Sequence, residues 1–340
     1  MLVAGDMSTV DELKSAIQQH VNITDLGEVR KHCGLWYTWK HTESKQCYLQ
    51  VSMNDVIHEV IQDYENEFGL LKPAPTPGFP NYVLTVNTDD IINLDRYRSY
   101  LGRVMYYVTK LSPECANASR ELSQHMTNPG LQQWKCLERL LGYLKQKKEH
   151  VLIYKPPAKM QIIGYVDSNF ATNADHRKSV TGYITTFGGM IINWSSKTQP
   201  MVTLSSTEAE YVALATGAQE ILFEQYLLDE LTTKQEKPSI LYEDNTGVIF
   251  LAKNSQVSGR TKHIDTRHHF IRQLIQKKRL EVMFVRSAEN YADLLTKNLP
   301  EKKLLLTLLR YNRDLWMVGG RMSQQVKDPG SCVNPTHPKK

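Results

Sequence analysis

The sequence predicts an α/β (α+β) protein in two parts: a first part rich in helices, and a second part forming one mixed five-stranded sheet flanked by helices. Three observations carry this. Apolar residues recur at helical spacing between residues 95 and 147. From residue 151 the chain changes to short runs of β-branched and aromatic residues, VLIY, QIIGYVD, VTGYITTF and MIINWSS. From residue 205 helical and strand patterns alternate, so the second part reads βββαβααβα.

The 340 residues suit two domains and an ample core, and 41% apolar with 23% charged residues is a globular composition, not a disordered or disulfide-scaffold one. A net charge of +5 permits a polyanionic partner without requiring one. The five cysteines, Cys33, Cys47, Cys115, Cys136 and Cys332, are scattered and form no CxxC pair, which argues against a zinc site or a disulfide framework and for a reducing compartment. The start, MLVAGDMSTVDELK, has no basic region and meets Asp6 early, so no secretory signal is expected. The longest charge-free stretch, 179–196, is too rich in Thr, Gly and Ser for a membrane span.

Taken in order, 8–20 places a Ser/Thr cap before Val10, Leu13 and Ile17 and predicts an amphipathic helix. Trp36, Tyr37, Trp39 and Tyr48 flank a polar HTESKQ turn and predict a hairpin, followed by a helix over 51–67. Pro73, Pro75, Pro77 and Pro80 exclude a helix, so 72–93 is a linker or extended wrap. Helices follow over 95–109, 113–126 and 131–147, the last with Trp134, Leu137, Leu140, Leu141 and Leu144 in register. Three antiparallel strands turn at Gly188 and Gly189, and a helix opens at Ser205 or Ser206 with a break expected near Gly217. SILYEDN is then a buried strand, TGVIFLAKN a helix, HHFIRQLIQKKR a basic helix, EVMFVR a strand and NYADLLTKNL a last helix. The expected units are 1–93, 94–150, 151–312 and a disordered tail over 313–340.

Three acidic residues fall at strand ends or a strand-to-helix junction: Asp167, Asp244 and Glu210, with Asp293 able to reach the same crevice from the last helix. Four carboxylates in one crevice repel one another unless a cation neutralises them, and hard oxygen ligands favour Mg²⁺ or Mn²⁺. Two such ions about 3.5 to 4 Å apart activate water and stabilise the leaving oxygen in phosphodiester cleavage. On composition alone the competing reading, that these are ordinary capping or solvated carboxylates, has more weight. His263, His268 and His269 lack an HExxH or a paired cysteine and are read as packing or phosphate contacts. Trp194 and Phe187 lie on strands and are read as core.

The ordered series GYVDSNFA, DHRKSVTGYITTFGGMIINWSSKTQP, LSSTEAEYVAL, LYEDNTGVIFLAKN, RTKHIDTRHHFIR and YADLLTKNLP resembles the ribonuclease H domain that ends the Pol polyprotein of copia-type LTR retrotransposons. YRSYLGRVMYYVTKLSP, HMTNP and LERLLGYLK resemble the segment joining reverse transcriptase to that domain, and DLGEV with its hairpin resembles the end of the reverse-transcriptase palm. The resemblance implies a ribonuclease H-like fold for 151–312 after a palm remnant and a helical connection. It implies that Asp167, Glu210, Asp244 and Asp293 hold two Mg²⁺ (or Mn²⁺) ions and hydrolyse the RNA strand of an RNA/DNA hybrid. It favours Glu210 over Glu208, because the family's glutamate stands just before the apolar YVAL turn.

Departures accompany the likeness. No YxDD tetrad occurs, so no polymerase activity is expected and the chain is read as starting just past that motif. Asn169 and Phe170 replace other residues near the first aspartate, and Glu243 stands where a Cys is usual, adding a negative charge beside Asp244. Lys253, Arg260, Lys262, Arg267, Arg272, Lys277, Lys278 and Arg279 face only Asp265 in charge, and all but Lys253 are the expected contacts to the hybrid. The plain alternative for this stripe is a solvated helix face. Remaining Pol segments are further expected partners, a membrane is not, and the expected location is the cytoplasm with a nuclear stage. The rival readings are a silent remnant or co-opted nucleic-acid-binding protein, and an integrase or transposase on the same fold.

Overall fold

A computed structural model describes residues 5–41, 47–147, 151–156, 159–172, 177–231, 235, 237–254 and 262–311. The expected turn over 42–46, Arg260 and the tail over 313–340 lie outside the described residues, as do the side chains of Lys262, His263 and His268. The first part runs α1 (Met7–Gln18), β1 (Lys31–His32), β2 (Leu35–His41), β3 (Cys47–Ser52), α2 (Asn54–Phe68), α3 (Leu94–Leu111), α4 (Ala116–Ser123), α5 (Leu131–Gln146) and β4 (Val151–Tyr154). The second runs β5 (Ile162–Asn169), β6 (Val180–Phe187), β7 (Met190–Thr198), α6 (Ser206–Glu230), β8 (Ser239–Glu243), α7 (Thr246–Lys253), α8 (Lys262–Gln276), β9 (Leu280–Phe284) and α9 (Glu301–Tyr311). As the prolines require, no helix forms between α2 and α3.

Two sheets form. The first has the order β1-β2-β3-β4 and is antiparallel throughout. Its last strand corrects an expectation, because VLIY was read as opening the second unit. Leu49 pairs with Tyr154 and Ser52 with Val151, so this strand closes the first sheet. Composition identifies a strand but not the edge it pairs with, which is set by where α5 delivers the chain.

The second sheet has the order β7-β6-β5-β8-β9. β5, β6 and β7 pair antiparallel, whereas β8 and β9 run parallel to β5. This is the mixed five-stranded sheet expected for the second part. Its two faces follow the strand period of two. On one face Ile162, Val166, Tyr183, Leu241 and Val282 pack under α6, α7 and α8. On the other, Ile184 and Ile191, with half-buried Tyr165 and Trp194, join the core of the helical block through Leu294, Leu295, Leu304 and Leu308.

Two helices differ from expectation. α6 is unbroken at Gly217, where an added Cβ would lie 2.4 Å from Val166 Cγ1. The glycine serves close approach of helix to strand rather than a break. NYADLLTKNL is not an α-helix. Residues Tyr291–Leu295 form a 3-10 turn, and α9 begins only at Glu301. Asn290 caps that turn through Ala292 N, and its Nδ2 donates to Val166 O at 2.7 Å, fastening the turn to β5.

The helical block is tied to the same end of the second sheet. Half-buried Arg120 on α4 donates to Ser196 Oγ at 3.2 Å and Thr198 Oγ1 at 3.3 Å on β7. Asn298 accepts from Asn117 at 3.0 Å and donates to Glu121 at 2.7 Å. Gly78 of the proline-rich segment packs so closely on Asn298 that a Cβ there would lie 2.4 Å from it.

Candidate active site

β5 and β8 are parallel neighbours with Tyr165 opposite Tyr242, so Asp167 and Asp244, each two residues further on, emerge at the same level of the same sheet end. Strands lie about 4.8 Å apart, and this spacing places the two carboxylates within reach of one ion. Glu210 enters from the first turns of α6. One ligand oxygen each from Asp167, Glu210 and Asp244 lie within 4.8 Å of one another.

The two glutamates of TEAEY separate by role. Ser205 Oγ accepts from Glu208 N at 3.1 Å, and Glu208 Oε2 accepts from Leu204 N at 2.7 Å, so Glu208 is spent on the start of the helix. Glu210, rather than Glu208, joins the cluster. The sequence contained the signal: a Ser with a Glu three residues on is a capping pattern.

Asp293 is brought alongside but is neutralised differently. Its Oδ1 takes Lys297 Nζ at 2.7 Å, and its Oδ2 takes Lys303 Nζ. Lys297 Nζ also lies 3.4 Å from Asp167 Oδ2, to which Thr296 Oγ1 donates. Sequence reasoning passed over Thr296, Lys297 and Lys303, although the Asp293/Lys297 spacing of i, i+4 was visible. Asn169, one of the departures, donates to Thr296 O at 3.2 Å, and Phe170 is exposed.

The electrostatics are those of carboxylates withdrawn from water. Burial raises Asp167 to about 6, with Lys297 opposing and Asp293 and Asp244 adding to the rise. Burial raises Glu210 to about 8, with Asp167 and Asp244 adding to it. Glu210 Oε2 is buried without a hydrogen-bond partner. Burial lowers the proton affinity of Lys297, but Asp167 and Asp293 outweigh it and hold the ammonium above its usual range. Glu243 is fully buried, its Oε1 accepts from Asn245 N at 3.0 Å, and its Oε2 has no partner. Burial, then Glu210, Asp244 and Asp167, push it well above the carboxylate range. Burial thus disfavours the extra negative charge expected beside Asp244.

An all-oxygen donor set, with an orphaned buried oxygen on Glu210, fits a hard divalent cation. A cleft of about 560 Å³ opens beside it, walled by Arg120 of α4, Gln124 just after that helix, Tyr82 of the proline-rich segment, and Asn169, Lys297 and Lys303.

The basic stripe is not one surface. β9 pairs Leu280 with Ser239, the first residue of β8, so Lys277, Lys278 and Arg279 lie at the opposite sheet end from Asp244. Arg279 is also engaged structurally, donating to Gln225 at 2.8 Å and lying over the Tyr226 ring. Arg267 meets Met201, just before α6, and is on the carboxylate side. Arg272 lies between, on α8. Among the described residues no helix is long and apolar enough to cross a membrane.

Comparison with known proteins extends these observations. The chain is 32% identical over 314 residues to the retrovirus-related Pol polyprotein from transposon TNT 1-94 of Nicotiana tabacum, covering 90% of this chain and 23% of that protein. It is 34% identical over 229 residues to the corresponding polyprotein of transposon RE2 of Arabidopsis thaliana, covering 67% of this chain and 16% of that protein. The chain thus spans less than a quarter of the length of these curated relatives. Among solved structures it is similar to LC11-RNase H1 from compost, with a TM-score of 0.32 and 18% identity, covering 40% of this chain and 92% of that one. No protein-family model matches the chain.

Proposed function

The chain belongs to the Pol polyproteins of copia-type LTR retrotransposons, and from that premise we propose that its second part is a metal-dependent ribonuclease H acting on the RNA strand of RNA/DNA hybrids. The observation that carries the proposal is the convergence of Asp167, Glu210 and Asp244 at one end of a ribonuclease H-like sheet. These three would hold the cation, which supplies Lewis acidity and a water activated at neutral pH.

The chain's own contribution is placement. β5 and β8 set the spacing of Asp167 and Asp244, and the Ser205–Glu208 cap fixes the height of Glu210 on its helix. Arg267 on α8, and the cleft lined by α4 and the proline-rich segment, offer cationic and polar groups to a duplex on the same side. Backbone and 2′-hydroxyl recognition suits an enzyme that reads shape rather than sequence.

The test is cleavage of a labelled RNA/DNA hybrid with Mg²⁺, with Mn²⁺ and with EDTA, beside Asp244→Asn. Cleavage that requires metal and disappears in the variant supports the reading. Undiminished cleavage by a folded Asp244→Asn protein overturns it.

A further inference from the structure

Lys297 is the charged residue nearest the carboxylates to which the proposed chemistry gives no work. Its ammonium bridges Asp293 Oδ1, at 2.7 Å, and Asp167 Oδ2, at 3.4 Å. Lys303 holds the remaining oxygen of Asp293. Among the described residues, the set able to share one ion is Asp167, Glu210 and Asp244, and Asp293 is not in it. The four acidic residues thus divide into three that face each other, with Lys297 reaching only Asp167 among them, and one neutralised by two lysines. A divalent ion shared by Asp167 and Asp293 would have to lie where the ammonium lies, and two cations cannot occupy that gap together.

Anchor and side chain differ in freedom. The backbone on either side is fastened: Thr296 bonds Asp167 and Asn169, and Asn298 bonds Asn117 and Glu121. The Lys297 side chain itself is 41% exposed and borders the 560 Å³ cleft. A four-carbon stem with a compact charge can leave the carboxylates for that cleft without moving the main chain.

We propose that Lys297 is a built-in counter-cation that fills the position between Asp167 and Asp293, so that the chain alone holds one divalent ion and admits a second only when this side chain withdraws. The proposal rests on the metal reading of the cluster. It makes Lys297 a positioning residue that couples ion stoichiometry to whatever draws its ammonium into the cleft, an anionic ligand being the matching chemistry.

The experiment is a titration of the whole chain with Mn²⁺, read by calorimetry and by electron paramagnetic resonance of free Mn²⁺, for the unaltered protein, Lys297→Gln, Lys297→Arg and Asp244→Asn. The expected result is one ion per unaltered chain and two for Lys297→Gln, the second bound about tenfold or more tighter than in the unaltered chain. Lys297→Arg keeps the charge and should stay at one, which separates lost charge from disturbed folding. Two ions on the unaltered chain, or one on a folded Lys297→Gln protein, overturns the proposal while leaving the metal centre intact. If neither the unaltered chain nor Asp244→Asn binds any ion, the metal reading falls and this inference with it.

Discussion

Glu210 and Glu224 sit on one helix, about four turns apart, and each buries a carboxylate oxygen that meets no hydrogen-bond donor. Burial raises both, Glu210 to about 8 and Glu224 to about 7. Their surroundings differ. Glu224 accepts from Thr185 Oγ1 at 2.5 Å, and the charge that opposes its ionisation, after burial, is the nearby Glu220. Glu210 faces two further carboxylates, Asp167 and Asp244, in a shared gap. A proton is enough to satisfy Glu224. At Glu210 protonation relieves one charge and leaves the gap without a ligand, so a cation is the better solution. A buried carboxylate is thus ordinary, and convergence is what distinguishes a site.

The strongest way to break this comparison is to neutralise each glutamate in turn. Glu210→Gln should lower metal-dependent hybrid cleavage by about a thousandfold or more, several kcal/mol of transition-state stabilisation, whereas Glu224→Gln should leave it within about twofold. Equal losses in the hybrid assay would mean that burial, not convergence, is what matters.

A second difference lies in pH. Glu224 holds its proton more tightly folded than unfolded, so its penalty is absent below about 4.5, grows up to about 7 and is constant above. Stability should therefore fall with rising pH by up to about 3 kcal/mol through this group, and Glu224→Gln should flatten that part of the profile. Asp167 and Glu210 have the same sign over a window reaching about 8, but there Mg²⁺ should restore the lost stability. Chemical denaturation from pH 4 to 9, with and without Mg²⁺, reads both effects.

Between the two glutamates, Gly217 lets α6 lie against β5. Gly217→Ala would force its Cβ towards Val166 Cγ1 and should cost about 1 to 3 kcal/mol in the same denaturation measurement. The smallest effect sharpens the choice between the two neighbouring acids. Glu208→Ala should lose about 1 kcal/mol of helix capping yet keep cleavage, and loss of cleavage in a folded Glu208→Ala protein would reverse the roles given to Glu208 and Glu210.

Much of this was readable in the chain. Strand period two separated the faces of β5 and β6, the order βββαβααβα put Asp167 and Asp244 at strand ends, and the family resemblance implied that they share one site. The helix start at Ser205 was visible in its capping pattern. Three things were not. VLIY announced a strand but not that it would close the first sheet. The basic residues from 253 to 279 formed one stripe in sequence, yet α8 carries Lys277 and Lys278 to the far end of the sheet from Arg267. Lys297 was an unremarked lysine until the fold set it between Asp167 and Asp293.

Periodicity, capping and the wording of the motifs established most of the elements, their order and the family, because those properties depend on neighbours within a turn or a strand pair. Which carboxylate meets its fellows and which meets a lysine was decided by contacts more than a hundred residues apart, such as Asn290 on Val166 and Lys297 on Asp167. The charge state of a buried acid follows from the groups that surround it in space, and those are assembled when the sheet, α6 and the 3-10 turn close on one another.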